Sequence, residues 1–312
     1  MKRFCCPSGN KFLRNKLNPI LFDVSLRDGI QSANPADYST PKKFELLNHI
    51  AEKYAPPKME IGSFVSPKVL PIMADTKDVF DYAHKGIREG QISAETYVLV
   101  PNKKGLLDAI RQGARNFSFI SSVSNAFQIK NTKRDLDYKK TELTEMARMV
   151  SNLPDYCKTK LYVSCISECP ISGVIDNDFI IYEILSSYGL NDLPDVDAFD
   201  EICLSDTMGT LNARDFSYIV EGLTRFGLSN KRISMHLHIN RENEREAKKI
   251  LFECFKRGIN KFDVSAILEG GCSVTMSSSS VKPNMTYEFF YSVFLEYLEE
   301  SNDGKPTPIH GL

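Results

Sequence analysis

No stretch of the 312 residues approaches 18 consecutive apolar side chains, so no segment is long and apolar enough to span a membrane. Charge of one sign is also lacking. The 39 Lys and Arg nearly cancel the 40 Asp and Glu, leaving a net charge of −1. That balance argues against general nucleic-acid binding, which draws on a basic excess or stripe. No G-x-G-x-x-G phosphate loop follows a strand-like run, and no Ser-His-Asp arrangement with a nucleophile elbow is present. A dinucleotide fold loses its best-known support and an α/β-hydrolase has none. Glycine (17) and proline (15) are too ordinary for a collagen-like or long low-complexity chain.

The eight cysteines are too sparse for a disulfide framework, and a chain of this size does not need one. Several sit in apolar stretches, where Cys behaves as a small hydrophobe. They read as reduced thiols in a reducing compartment. Cys165 and Cys169 have zinc-like spacing, but no second Cys or His pair completes a structural site. The segment Met1–Leu17 has five basic and no acidic residues and lacks a long apolar core, so it is not a secretory signal. We read residues 1–18 as a basic arm, 19–300 as one catalytic domain and 301–312 as a polar tail. A cytoplasmic location is expected, with the mitochondrial matrix as the alternative that the basic arm leaves open.

The remaining pattern is a regular alternation. Short β-type runs occupy Ile20–Val24, Lys58–Ile61, Thr96–Val100, Asn116–Ser121, Lys160–Ser164, Glu201–Leu204, Arg232–Leu237 and Lys261–Ser265. Helical periodicity follows each, near Pro41–Lys53, Lys77–Arg88, Lys103–Gln112, Lys139–Asn152, Asp178–Tyr188, Ala213–Phe226, Glu244–Lys256 and Thr286–Glu299. Strand–helix alternation implies parallel strands joined by crossovers. Eight units in this length predict an α/β fold, a (β/α)8 TIM barrel with its chemistry at the C-terminal ends of the strands. A doubly wound open sheet is the competing layout.

Polar residues cluster where that fold places a site. Two of only five histidines form His236-Leu237-His238 at a strand end, where period-2 geometry turns both imidazoles to one face. Two such rings and a carboxylate can hold a divalent metal. Asp28, in Leu26-Arg27-Asp28-Gly29-Ile30-Gln31, is that carboxylate; otherwise Arg27–Asp28 is an ordinary surface ion pair. Glu60 is an acid inside an apolar run, which favours function over a tolerated core charge. Asp206 in Leu204-Ser205-Asp206-Thr207-Met208-Gly209 is either functional or a cap for the next helix, a role open also to Thr207 or Asn212. Cys272 in Gly270-Gly271-Cys272 is either a proton-transfer thiol on a glycine loop or incidental.

These motifs, together with Ser63-Phe64-Val65-Ser66-Pro67-Lys68, Pro101-Asn102-Lys103-Lys104-Gly105 and Tyr162-Val163-Ser164-Cys165, occur in the order found in 3-hydroxy-3-methylglutaryl-CoA lyases. The chain resembles that family, among the metal-dependent lyase and synthase barrels with an R-D-G-x-Q signature, from about Ile20 to Glu300. The resemblance implies retro-Claisen cleavage of an acyl-CoA to acetyl-CoA and acetoacetate. It implies Asp28, His236, His238 and Asn284 as ligands of Mg or Mn, with Zn also compatible. Arg27, Cys272, Glu60, Asp206 and His236 are its catalytic candidates, and Gln31, Ser63, Tyr162 and Thr207 its substrate-binding ones. The implied partner is the small-molecule substrate, with neither nucleic acid nor membrane. The family also suggests a homodimer, for which the sequence carries no interface signature.

Two stretches depart from the family pattern. Ile239-Asn240-Arg241-Glu242 replaces a glycine-containing turn after the second histidine. In the last loop Glu269 is unusual, and Val281, which cannot ligate, stands at the usual spacing from Cys272; Asn284 recovers the ligand only with three residues inserted. A related acyl-CoA lyase, aldolase or condensing enzyme with another substrate, and a non-catalytic metal- or acyl-CoA-binding barrel, are therefore the alternatives.

Overall fold

The computed structural model describes residues 17–187, 199–267 and 282–303. Its strands are β1 (Ile20–Asp23), β2 (Lys58–Ser63), β3 (Glu95–Leu99), β4 (Phe117–Ser122), β5 (Thr159–Ser164), a small hairpin of β6 (Glu168–Cys169) and β7 (Gly173–Val174), β8 (Glu201–Asp206), β9 (Ile233–Leu237) and β10 (Lys261–Val264). The helices are α1 (Thr40–Lys53), α2 (Thr76–Arg88), α3 (Lys103–Arg111), α4 (Asn125–Thr132), α5 (Leu136–Ser151), α6 (Asn177–Ser187), α7 (Ala213–Arg225), α8 (Glu244–Lys256) and α9 (Tyr287–Asp303). Outside the hairpin, the strands form a closed parallel barrel in the order β1-β2-β3-β4-β5-β8-β9-β10. Closure comes from β1 on β10, with Ile20 opposite Lys261 and Asp23 opposite Val264. The barrel expectation holds and the open sheet is excluded. All eight expected strands lie within two residues of their expected bounds. The helix α4 and the β6–β7 hairpin were not expected.

Alternation along each strand separates two layers. Leu161 and Val163 of β5, Ile202 and Leu204 of β8, Ile233 and Met235 of β9, and Phe262 and Val264 of β10 all join the main core beneath the helices. Their neighbours point into the barrel, and many are polar. Lys160, Glu201, Asp263 and His236 are all buried. The helices present matching apolar faces: α2 buries Val79, Phe80 and Ala83. Asn212 caps α7 through its side chain, which accepts from the Asp215 N–H at 2.9 Å.

A barrel interior with this much charge must be paired to persist. Glu201 shows how. Burial alone would raise its pKa, but Lys160 at 3.0 Å, Lys261 at 3.5 Å and Lys58 at 3.6 Å outweigh that and hold it at about 2. A carboxyl held at about 2 rather than 4.5 contributes about 3 kcal/mol to folding near neutral pH. Because the folded pKa is depressed, this stability is present above pH 4.5 and is lost as pH falls through 2. Glu201→Gln is therefore expected to be less stable than wild type by about 3 kcal/mol at pH 7, with the gap narrowing at pH 3. Urea unfolding at the two pH values checks this; an equal gap at both would remove the electrostatic explanation.

Candidate metal and acyl-substrate site

Three elements bring the site together at the C-terminal mouth of the barrel. After β1 the chain makes a single π turn, Ser25–Gly29, that buries both Arg27 and Asp28. Gly29 allows close packing there: a Cβ would lie 3.0 Å from the side chains of Ile267 and Ser265, which would have to shift to admit it. From β9, His236 and the adjoining His238 face the same side. The third element is an insertion. The strands β9 and β10 share only the pair Met235–Phe262. Beyond it the segment 282–286 enters, bridging His238 to Asn284 and Ser265 to Thr286. Its backbone ties in through Met285 N–H to Leu237 O at 3.0 Å and Ile239 N–H to Pro283 O at 2.8 Å. This places Asn284 beside Asp28, so its side-chain N–H donates to Asp28 Oδ2 at 3.0 Å.

Asp28, His236 and His238 offer ligand atoms that all lie within 4.8 Å of one another. The hydrogen bonds fix which atoms converge. His238 Nδ1 faces the Lys282 carbonyl oxygen at 2.9 Å, and a carbonyl can only accept. His238 therefore carries its proton on Nδ1. His236 Nδ1 faces Asp263 Oδ2 at 3.1 Å. The two Nε2 atoms then point lone pairs at each other across 3.1 Å. Asp28 Oδ2 stands 3.8 Å from His236 Nε2. Asn284 Oδ1 is buried with no hydrogen-bond partner. The two imidazole Nε2 lone pairs and the Asp28 carboxylate repel one another unless a cation joins them, and the unpartnered Asn284 Oδ1 belongs to the residue that donates to that carboxylate. The donor set of two imidazoles, a carboxylate and an amide oxygen suits a divalent metal. Burial and its neighbours keep this set ready. His238 is pushed down to about 4 by burial and by His236. Burial would raise the Asp28 pKa, but Arg27 and the two histidines hold it well below the usual carboxylate range.

Arg27 is aimed by its surroundings. Its Nε meets Glu60 and its Nη1 meets Asp28. Its guanidinium lies over the Tyr162 ring at 4.8 Å, and the Tyr162 hydroxyl donates to Glu60 Oε2 at 3.2 Å. Glu60 is fully buried beneath this arrangement. The pocket above is lined by Arg27, Asp28, Gln31, Ser63, Tyr162 and Thr207 among others, with both histidines. Apolar side chains, among them Val65, Val69, Leu70, Leu99, Ile120 and Phe127, also line it.

Asp206 is placed differently from the expectation of a reacting acid. Its carboxylate accepts from Ser167 Oγ, Thr210 N and Leu211 N, each at 3.1 Å, so it holds the turn after β8. Nor is it the cap of the next helix, which is Asn212. Gly209 in that turn has φ +62°, and a Cβ there would come within 2.7 Å of the His238 carbonyl oxygen. His236 has both ring nitrogens committed to Asp263 and to the ligand cluster, which leaves it no free base function. Cys272, Glu269 and Val281 lie outside the described residues. Asp263 and Lys160 were missed from sequence. Both are charged residues inside apolar runs, the same signal that had marked Glu60.

No helix among the described residues is long and apolar enough to cross a membrane. A family model described as HMGL-like matches residues 18–242. The chain is 28% identical to hydroxymethylglutaryl-CoA lyase YngG of Bacillus subtilis, over 93% of this chain and 95% of that one. It is 26% identical to the mitochondrial hydroxymethylglutaryl-CoA lyase of Arabidopsis thaliana, over 88% of this chain but 56% of that relative, so it spans little more than half the plant protein. Among solved structures, an Acinetobacter baumannii HMG-CoA lyase in complex with coenzyme A and 3-methylmalate superposes with a TM-score of 0.73 at 20% identity, covering 97% of this chain and 99% of that one. At that identity the likeness speaks to the fold.

Proposed function

The chain belongs to the HMGL-like family, and on that premise we propose that it is a divalent-metal-dependent carbon–carbon lyase. It cleaves 3-hydroxy-3-methylglutaryl-CoA to acetyl-CoA and acetoacetate. The observation that carries this reading is the clustering of the Asp28, His236 and His238 ligand atoms beside Arg27 at the barrel mouth, with Asn284 hydrogen-bonded to Asp28. Its lyase relatives and the coenzyme A in the A. baumannii structure support an acyl-CoA as the substrate.

A divalent ion held by those four residues, Mg or Mn with Zn also compatible, would supply Lewis acidity toward the substrate's hydroxyl and carboxylate oxygens. The protein's own groups do the rest. The hydroxyl proton passes to a base, the C2–C3 bond breaks toward the thioester, and acetoacetate leaves. Arg27 holds the negative charge that gathers on the thioester oxygen, as a preorganised oxyanion partner. Its orientation is set by Glu60, which is a positioning residue. Cys272 returns a proton to the enolate carbon, giving acetyl-CoA. Gln31, Ser63, Tyr162 and Thr207 line the substrate's path. Asp206 acts through the turn that carries Thr207. Free buried thiols at Cys165, Cys169, Cys203 and Cys254 suit a reducing compartment, cytoplasm or matrix. A homodimer follows the family resemblance.

A second reading is favoured by the apolar lining of Val65, Val69, Leu70 and Phe127. It is the same cleavage on a substrate with a larger alkyl group at C3. Incubating Mn-loaded protein with 3-hydroxy-3-methylglutaryl-CoA and with a longer 3-alkyl homologue separates the two. Equal or faster release of acetoacetate from the methyl substrate supports the first. Cleavage of only the longer homologue supports the second. No acyl-CoA product from either, with folded and metal-loaded protein, contradicts both.

A further inference from the structure

We infer that Asp263, locked from below by Lys160, is a positioning residue that sets the tautomer of His236 and so keeps Nε2 open toward the metal. This rests on the metal-site reading above.

The argument begins with a run of buried charge through the middle of the barrel. From the floor upward it reads Lys58 and Lys261, Glu201, Lys160, Asp263, His236. Lys160 and Asp263 are 1% and 2% exposed. Buried ion pairs of this kind are replaceable by apolar residues with little loss of stability, so stability alone does not account for one inside a barrel. Geometry does. Lys160 Nζ has hydrogens and no acceptor, so it can meet only an oxygen of residue 263. It takes Asp263 Oδ1. It is itself held by Glu201 at 3.0 Å and over the Phe22 ring at 4.0 Å. Asp263 Oδ2 faces His236 Nδ1 at 3.1 Å and also accepts from the Cys203 thiol, a weaker donor free to rotate, at 3.7 Å. An oxygen facing Nδ1 requires the proton there, and the lone pair then falls on Nε2, beside His238 Nε2 and Asp28. Partners behind a metal-binding histidine act in this way, and their loss costs about 10- to 100-fold in metal affinity.

The lock makes an unusual prediction for the isosteric change Asp263→Asn. Lys160 continues to demand the oxygen, so the amide N–H₂ faces His236 Nδ1. A ring nitrogen that meets a donor cannot carry a proton, and the proton moves to Nε2, into the ligand direction. Asp263→Asn should therefore weaken Mn binding by at least about 10-fold. Adding Lys160→Met should restore much of it, because the amide is then free to turn its oxygen to Nδ1–H. Glu201 keeps Lys58 and Lys261 in that double variant, so it is not left unpaired.

Two readouts keep the inference separate from the reading beneath it. The first is the ¹⁵N spectrum of His236 in metal-free protein, which reports which nitrogen bears the proton. Wild type should show Nδ1–H, Asp263→Asn should show Nε2–H, and the double variant should return to Nδ1–H. The second is Mn affinity by calorimetry, with His236→Ala as control. An unchanged tautomer in Asp263→Asn, or a double variant no better than the single, overturns the positioning role. An unaffected His236→Ala overturns the metal assignment instead, while the spectrum still decides the tautomer lock.

Discussion

Arg27→Gln is expected to lose about 10³-fold in kcat, the scale set by removing one preorganised oxyanion donor, while the protein still binds its metal. The change removes the cation that bridges Asp28 and Glu60. Asp28, freed from that pairing, retains its full charge for the ion, so metal affinity should hold or rise. Glu60 is fully buried and loses a charged partner. It keeps the Tyr162 hydroxyl at 3.2 Å. Some loss of stability is thus expected, and Arg27→Lys serves as the second variant. Lysine keeps the charge but cannot reach both carboxylates with a planar fork. It should fold well and still lose most of the rate. Steady-state kinetics with metal saturating checks this. Wild-type turnover in either variant would mean that the charge on the thioester oxygen is held elsewhere.

His238→Ala is expected to weaken metal binding by more than the roughly 10- to 100-fold typical of partners behind a ligand. It deletes a ligand atom outright. It also leaves the Lys282 carbonyl, now paired with the ring at 2.9 Å, without that donor. Activity at low metal should vanish and return in part at high metal. Asn284→Ala should show the same pattern at smaller amplitude, since a neutral amide oxygen contributes less than an imidazole or carboxylate. Its buried Oδ1 has no hydrogen bond to lose, but its N–H is donated to Asp28 Oδ2 at 3.0 Å, so Asn284→Asp, which keeps an oxygen and drops that donor, separates the two contributions. Equilibrium binding of Mn to the purified variants measures both. Retention of wild-type affinity by His238→Ala would remove that residue from the ligand set.

Much of this architecture was legible because parallel barrel strands leave a plain trace. Each is a short apolar run broken by polar residues at period two, and each is followed by a longer stretch of helical period. The eight runs could be placed without knowing their order around the barrel. Arg27, Asp28, His236 and His238 were legible because they are rare or charged residues just past such runs. Asp263 and Lys160 carry the same mark as Glu60, a charge within an apolar run, but sit deeper in their runs than the strand ends where the fold places a site, and their pairing across the barrel is not visible in the sequence. The pair is separated by 103 residues. The helix α4 lacks apolar periodicity, burying only Phe127 and Gln128, and was invisible for that reason. Its start is marked by Ser124, whose hydroxyl oxygen accepts from the Phe127 N–H at 3.2 Å, a cap signal that could have found it. Asp206 shows what the sequence leaves out: an acid at a strand end gives no sign of its partners, and this one accepts hydrogen bonds on both oxygens from the turn after β8. Asn284 could not be placed from its spacing to Cys272, and the bridge between His238 and Asn284 is what sets it beside the histidines.

The account turns on metal-dependent cleavage at this one cluster, and acetoacetate release from 3-hydroxy-3-methylglutaryl-CoA tests it most directly. The assay is run with added Mg or Mn, with and without a chelator. Release that the chelator abolishes and fresh metal restores is the predicted result. Release that the chelator leaves untouched, or none from folded protein with metal bound, would contradict it.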